Sequence, residues 1–205
     1  HPFRKDRPYV MGEPPKEYFS YENRNPVGSY IREFEIGPEA KGKAVFLHFE
    51  GVKSAMYVWV NGHKVGYSEN SMSPAEFNIT DYVRQGSNKL AVEVYRWSDS
   101  SYLEDQDMWR LSGIFRPVEL WIRPMTHIRD YSIETIPSED FTSATVRGTF
   151  YVRNLSDRKA KNLRIQMSLY RDGYGDALLS DFFDVQPHDE VEVCIETKID
   201  KPVLW

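Results

Sequence analysis

The sequence predicts an all-β protein built from sandwich domains. Three observations support this prediction. Apolar and polar residues alternate with a period of two along most of the chain; Gly, Pro, Asn and Asp interrupt the alternation at short intervals; and helical periodicity is nearly absent. With 205 residues, 40% of them hydrophobic, the chain is long enough for one large β domain or for two smaller ones.

The elements of the first half follow from this alternation. Seven strands are predicted there: Tyr30–Ile36, Ala44–Glu50, Ala55–Val60, Lys64–Ser68, Ala75–Asn78, Lys89–Arg96 and Val118–Arg123. The dipeptide Asn61-Gly62 predicts a type I′ hairpin, because both of its residues tolerate a positive φ. The segment from Thr80 to Gly86 predicts a helix of one or two turns, with Thr80 or Asp81 as its N-cap.

The second half shows longer alternating runs, and Pro124 marks the boundary between the halves. Five strands are predicted after it: Ile128–Thr135, Ser143–Arg153, Leu163–Tyr170, Leu178–Val185 and Glu190–Ile199. Five strands in about eighty residues are typical of a small immunoglobulin-like sandwich. We therefore expect domains at residues 1–124 and 125–205.

Composition excludes several classes of function. The formal net charge is −5 and the basic residues do not cluster, so a nucleic-acid partner is not expected. No apolar run approaches the roughly 18 residues of a membrane span, so a membrane partner is not expected. The single cysteine, Cys194, excludes an intrachain disulfide, and its alternating neighbours predict a core position. The five histidines are scattered without metal-ligand spacing.

A long segment between two predicted strands carries the densest set of functional side chains. Residues 96–118 contain four acids, four aromatic residues and Arg110. A loop of this length in a compact β domain is more often a binding loop than a simple connection between strands. The acids suit a sugar or a cation as ligand, although a solvated charge cluster is the simpler alternative. Trp97 is expected in the core rather than against a ligand, and Arg116 is expected to pair with local acids.

In an extended segment, the side chains of Asp105 and Asp107 would point to the same side, with their Cα atoms roughly 7 Å apart. Retaining glycosidases need two carboxyl groups at about 5–5.5 Å, so spacing alone would allow these aspartates to be a catalytic pair. The family resemblance described next argues against that assignment, and no catalytic residue is predicted in this chain. Asn25 precedes a proline, and by spacing alone an Asn-Pro pair most simply opens a turn.

The motifs resemble one known family. Arg96-Trp97-Ser98-Asp99, the run Ser101 to Arg110 and Ser112 to Arg116 are similar, nearly residue for residue, to the non-catalytic N-terminal region of family 2 glycoside hydrolases, specifically the long bacterial β-galactosidases. Further matching pieces are Asn25-Pro26-Val27-Gly28, Phe49-Glu50-Gly51-Val52, Val58-Trp59-Val60-Asn61-Gly62, Val65-Gly66-Tyr67 and Lys201-Pro202-Val203-Leu204-Trp205. The resemblance is tight up to about Pro124 and looser afterwards.

The resemblance implies a jelly-roll sugar-binding domain over residues 1–124 and an immunoglobulin-like domain over residues 125–205. It implies that the jelly roll begins upstream of His1, that the second sandwich continues beyond Trp205, and that the catalytic barrel with its two glutamates lies outside this chain. Asn25 and Asp107 match residues that line the galactose subsite. Asp107 also matches a ligand of a monovalent cation, Na⁺ or K⁺, whose other ligands would come from the barrel, where Mg²⁺ is also possible.

The sequence therefore predicts a non-catalytic fragment of a retaining β-galactosidase, inactive by itself. Its partners would be a β-galactoside, the enzyme's own barrel and, in a homo-oligomer, further copies of the enzyme. Two alternatives come from other functional classes: a stand-alone carbohydrate-binding module, or a purely structural or interaction domain. A third alternative stays within the enzyme class and is a fragment of a β-glucuronidase or β-mannosidase. The compartment, bacterial cytoplasm or periplasm, stays open.

Overall fold

The computed structural model describes residues 25–104, 111–171 and 174–203. The chain forms two compact units that divide between Ile122 and Arg123. Strands dominate both units, and the one α-helix in the described ranges is α1, Ser100–Leu103. The prediction of an all-β fold is therefore confirmed. None of the described helices is long and apolar enough to cross a membrane.

The first unit is a pair of facing sheets. Its strands are β1 Val27–Ile36, β2 Lys43–Phe49, β3 Val52–Lys53, β4 Ala55–Val60, β5 His63–Ser68, β6 Ala75–Asn78, β7 Gly86–Tyr95, β8 Gly113–Ile114 and β9 Val118–Pro124. One sheet has the order β1-β7-β4-β5, another the order β6-β2-β9, and β3 pairs with β8. Short 3₁₀ turns cover Pro38–Ala40 and Thr80–Tyr82.

Strand β4 shows how the alternating sequence builds the first core. Met56, Val58 and Val60 are at most 2% exposed, whereas Tyr57 and Trp59 lie on the opposite face and are half-buried. Successive side chains of a strand point to opposite faces, so a period of two places one set in the core. At the end of β4, Asn61 and Gly62 have φ values of 50° and 86°, which fits the predicted type I′ turn.

The helix predicted from Thr80 to Gly86 is shorter than expected. Only Thr80–Tyr82 forms a 3₁₀ turn, and Gly86 already begins β7. The Thr80 hydroxyl does not cap this turn, because it accepts a hydrogen bond from the Val45 amide and donates one to Asn78 Oδ1. Tertiary pairing with β2 thus replaces the local capping that the sequence suggested.

The first core is incompletely covered along one side. A cavity of about 460 Å³ lies beside the edge strands β1 and β9 and is lined mainly by apolar side chains. Ile31, at its rim, is 71% exposed. On this side the described residues leave part of the apolar interior open.

In the described residues of the second unit, strands are the only regular secondary structure. They are β10 Thr126–Pro137, β11 Ser143–Asn154, β12 Ala160–Leu163, β13 Gln166–Arg171, β14 Tyr174–Leu179, β15 Phe183–Val185 and β16 Glu190–Asp200. The sheets are β10-β11-β16, β12-β15 and β13-β14. Two predicted strands, Leu163–Tyr170 and Leu178–Val185, are each divided in two. The break occurs where the buried Ser180 hydroxyl, rather than a backbone carbonyl, accepts the Ile165 N–H at 2.9 Å.

Cys194 corrects a sequence prediction. It is exposed rather than buried. Its neighbour Ile195 is 6% exposed and belongs to the second core, so alternation along β16 turns Cys194 toward the other face.

Candidate functional site

The long loop between β7 and β9 has an ordered base. Strand β8 closes it by pairing with β3, so that Val52 lies opposite Ile114 and Lys53 opposite Gly113. Gly113 has a φ of 122°, a conformation that residues with a side chain rarely adopt. The two ends of the loop are therefore held near β3, which belongs to a distant part of the sequence.

Asn25 is fixed against the first residues of this loop. Its Nδ2 donates to the Trp97 carbonyl at 3.0 Å, and its Oδ1 accepts from the Trp97 amide at 2.9 Å. The neighbouring Arg96 amide donates to the Pro26 carbonyl at 3.0 Å. The Asn25 side chain thus continues the β1–β7 ladder by one further pair of hydrogen bonds.

This arrangement leaves part of the Asn25 amide available. A carboxamide has two N–H donors and two lone pairs on its oxygen, and Trp97 uses one of each. Asn25 is exposed, so the remaining donor and acceptor can meet a ligand in solution. Trp97 itself is 5% exposed, and this burial confirms that its ring packs in the interior instead of offering a platform.

Four serines stabilise the start of the loop. The fully buried Ser54 donates from its hydroxyl to Ser98 Oγ at 2.8 Å. Ser98 and Ser100 share a hydroxyl–hydroxyl hydrogen bond of 2.8 Å, and the Ser98 amide donates to Ser101 Oγ at 3.1 Å. These contacts define the backbone path into α1.

Glu104 fixes the end of α1. Its Oε1 accepts a hydrogen bond of 2.8 Å from the amide of Ser71, a residue with no exposed surface. Glu104 Oε2 and Arg96 Nε are buried atoms without a hydrogen-bond partner in the described ranges. Both side chains line a cavity of about 10 Å³ that residues from both ends of the loop enclose, which is about the space of one water molecule.

The sequence-predicted site residues have different outcomes. Asn25 lies at the loop base as described. Asp107 and Asp105 lie outside the described residues, so their distance to Asn25 stays a prediction. Arg116 was expected to pair with acids, but in the described part of the chain its guanidinium donates to the carbonyls of Glu50 and Met72 at 3.3 and 3.1 Å. The described residues contain no group of three or more His, Cys, Asp or Glu that could hold a metal ion.

Sequence reasoning missed the structural roles of Ser54 and Glu104. Ser54 lies 44 residues from Ser98, and Ser71 lies 33 residues from Glu104. Because the partners are so far apart in the sequence, no local pattern predicts either contact. A partial signal existed for Glu104, because it is one of four acids in a short segment and it follows a helical turn.

Comparison with known proteins agrees with this architecture. The family model "Glycosyl hydrolases family 2, sugar binding domain" matches residues 15–124. A β-galactosidase from Priestia megaterium is 40% identical over 199 residues, which cover 97% of this chain and 19% of that protein. One from Clostridium acetobutylicum is 57% identical over 120 residues, which cover 58% of this chain and 13% of that protein.

Solved structures share the fold. The crystal structure of Bacteroides uniformis β-glucuronidase superposes with a TM-score of 0.80 at 26% identity, covering 87% of this chain and 22% of that one. A putative β-galactosidase from Bacteroides fragilis has a TM-score of 0.75 at 22% identity and shares the fold. The chain spans less than a quarter of the length of each of these relatives except the last, of which it covers 28%. With its family-model match over more than half its length, the chain belongs to glycoside hydrolase family 2, and residues 15–124 are the family's sugar-binding domain.

Proposed function

We propose that this chain is the non-catalytic N-terminal part of a retaining β-galactosidase. In this proposal it supplies one wall of the galactose subsite and supports a catalytic barrel that lies outside the 205 residues. The relatives that match it at 40% and 57% identity are both β-galactosidases. Hydrolysis with retention requires two carboxyl groups on either side of the glycosidic bond, and these would come from the barrel.

The single observation that supports the subsite is the geometry of Asn25. Two hydrogen bonds to Trp97 fix the orientation of its amide, while one N–H and one lone pair remain for a ligand. A sugar hydroxyl both donates and accepts, so a fixed amide of this kind can contact it in a defined direction. The enzyme then loses little conformational entropy when the sugar binds.

Asp107 would complete this wall and bind a cation. A carboxylate is a suitable ligand for Na⁺ or K⁺, because hard cations prefer oxygen. As the family resemblance implies, the remaining ligands would come from the barrel. In this proposal the chain holds the loop in a position from which Asp107 reaches the cation. The hydrogen bonds of Glu104 and of the four serines at the start of the loop provide this support.

A related specificity is the main competing proposal, because the superposed β-glucuronidase has a TM-score of 0.80. A glucuronide carries a carboxylate, and the sequence of the loop contains four acids, Asp99, Glu104, Asp105 and Asp107. Three arginines, Arg96, Arg110 and Arg116, nearly balance these acids, so charge alone does not decide. The identities of 40% and 57% to β-galactosidases, against 26% to the β-glucuronidase, favour a galactoside.

The test uses the full-length protein with nitrophenyl β-galactoside and compares Asn25→Ala with Asp107→Asn. Asn25→Ala should raise KM about 2- to 10-fold and Asp107→Asn about tenfold or more, because a neutral hydrogen bond contributes about 0.5–1.5 kcal/mol and one to a charged group about 1.5–3 kcal/mol. Only Asp107→Asn should also raise the sodium concentration needed for half-maximal rate, because cation and sugar binding are linked through its charge.

Asn61→Ala is the matched control. Asn61 also makes side-chain hydrogen bonds in the first unit, to Tyr82, Asn88 and Lys89, and its loss should lower stability without changing KM. An unchanged sodium response in Asp107→Asn would contradict the cation role, and failure of the wild type to hydrolyse the galactoside would contradict the function.

A further inference from the structure

One face of the first unit carries an exposed cluster of aromatic side chains that the galactose subsite does not use. We call it the aromatic face and define it as Tyr57, Trp59, Tyr67 and Tyr95. The ring centroid of Tyr57 lies 4.7 Å from that of Tyr67, 5.8 Å from that of Tyr95 and 6.0 Å from that of Trp59. Tyr67 is 44% exposed, and the other three are half-buried.

Strand register explains why these rings share a face. Tyr57 lies opposite Tyr67 on β5 and opposite Glu93 on β7. Directly opposed residues of antiparallel strands point to the same side of a sheet, and this side faces away from the core that Met56 and Val58 enter.

Carboxylates are placed among the rings. The Tyr67 hydroxyl donates to Glu69 at 2.5 Å, and the Tyr95 hydroxyl donates to Glu93 at 3.2 Å. Burial raises the pKa of Tyr67, and the hydrogen bond to Glu69 and the nearby Asp99 carboxylate raise it further. Tyr67 therefore stays a neutral donor. Each carboxylate has about four acceptor positions, so Glu69 and Glu93 keep capacity for further hydrogen bonds.

The aromatic face is continuous with the base of the candidate site. Val27 lies opposite Tyr95, and Asn25 precedes Val27 by two residues. A strand advances roughly 7 Å for every two residues. Asn25, the level of Tyr95 and the level of Tyr57 thus follow one another over roughly 14 Å along the strand direction. Tyr67 lies on β5, three strands across the same sheet from β1, so roughly 20 Å separates Asn25 from the Tyr67 ring, a span that several linked sugar units can cover.

We propose that the aromatic face binds the sugar units that follow the terminal galactose of a neutral β-linked galacto-oligosaccharide. This proposal rests on the proposed function, because it assumes that the terminal galactose lies beside Asn25. A pyranose has an apolar C–H face, which can pack on a ring, and hydroxyls, which can donate to the neighbouring carboxylates.

The carboxylates decide between a sugar and a protein as the occupant. A protein surface docked here would bury Glu69 and Glu93 and would have to supply a charged partner for each, since a buried unpaired carboxylate is strongly unfavourable. Oligosaccharide hydroxyls meet the same acceptors without removing them fully from water. Lys64 lies with its Nζ 4.0 Å from the Tyr57 ring centroid, and this leaves the exposed Tyr67 as the main platform.

The experiment compares two substrates on the full-length protein: β-1,4-galactotetraose and nitrophenyl β-galactoside. Tyr67→Ala should raise KM for the tetraose about 3- to 10-fold, the loss of one aromatic contact, and leave KM for the nitrophenyl substrate unchanged. Glu69→Gln keeps every ring and should give a smaller rise for the tetraose alone. Tyr170→Ala is the matched control, because Tyr170 is a 77% exposed tyrosine of the second unit.

Isothermal titration with the same tetraose, in full-length protein whose two barrel glutamates are replaced by glutamine so that no turnover occurs, measures binding alone and separates the two proposals. If the protein hydrolyses neither substrate but Tyr67→Ala weakens tetraose binding, the proposed function is wrong and oligosaccharide binding at the aromatic face is still supported. Equal tetraose affinity in the wild type and Tyr67→Ala, or no binding by the wild type, overturns the inference. A parallel rise of KM for both substrates, or a change of oligomeric state in Tyr67→Ala, overturns it as well.

Discussion

Glu104→Ala should loosen the base of the binding loop at one identifiable amide. In the wild type, Glu104 Oε1 accepts the Ser71 N–H at 2.8 Å. Ser71 has no exposed surface, so water does not readily replace the lost acceptor. The alanine variant leaves a buried backbone donor without its partner.

The size of the effect follows from two opposing contributions. A hydrogen bond to a charged group contributes about 1.5–3 kcal/mol, and removing one partner exposes the desolvation cost of the other. Removing Glu104 also relieves the cost of burying its second oxygen, Oε2, which has no partner in the described ranges. We therefore expect a net local loss of about 2 kcal/mol, which corresponds to about 30-fold faster exchange of the Ser71 amide.

Hydrogen exchange followed by mass spectrometry on the full-length protein measures this effect in a peptide that covers Ser71. Glu119→Ala is the control: Glu119 is an exposed acid that accepts a hydrogen bond from Trp121 Nε1 at 2.8 Å, and its loss should leave Ser71 unchanged. Glu104→Gln retains an acceptor for the Ser71 amide and should give a smaller acceleration. Exchange at Ser71 that is unaltered in Glu104→Ala would refute the reasoning.

Two further predictions concern stability. Gly66→Ala would place a Cβ atom 2.1 Å from the Phe77 ring, so the ring must move, and thermal unfolding of the full-length protein should show a loss of about 1–3 kcal/mol; an unchanged Tm would contradict this packing. The pKa of Glu190 is lowered chiefly by the hydrogen bond from Arg129 and also by Arg153. The folded state therefore prefers the ionised Glu190 carboxylate. The resulting stability is fully present above the ordinary pKa of 4.5 and is lost as the pH falls through the lower pKa of the folded state. Tm measured against pH should fall there in the wild type and less in Glu190→Gln, and parallel profiles would argue against the ion pair.

Local patterns predicted the strands that alternation alone defines. The strands Ala55–Val60 and Ala75–Asn78 have the predicted bounds, because one face of each is buried and the register follows from a period of two. The turn at Asn61-Gly62 needs only two residues with positive φ. The segment Thr80–Gly86 was predicted less well, since the Thr80 hydroxyl bonds to β2 and is not available as a cap.

Long-range contacts explain what the sequence did not reveal about the site. The bridge between Lys53 and Gly113 joins two-residue strands, which are too short for any periodic signal. The contact of Asn25 with Trp97 spans 72 residues, so the sequence could suggest a turn or a resemblance but not a fixed amide. Cys194 shows the same limit in another form, because alternation identifies two faces of a strand without saying which one enters the core.

Under the proposed function, the fixed amide of Asn25 would let a chain without catalytic carboxylates contribute to the rate of hydrolysis. A free asparagine on a loop must be ordered when a sugar binds, and this ordering costs about 0.5–1.5 kcal/mol for a side chain. In Asn25 this cost is already offset during folding by the two bonds to Trp97. The ring of a bound galactoside would then be held in one orientation relative to the reacting groups of the barrel, and such positioning lowers the barrier to reaction. On this reasoning, loss of the contacts at Trp97 would reduce kcat as well as raise KM, whereas loss of an ordinary surface hydrogen bond to the sugar would raise KM alone.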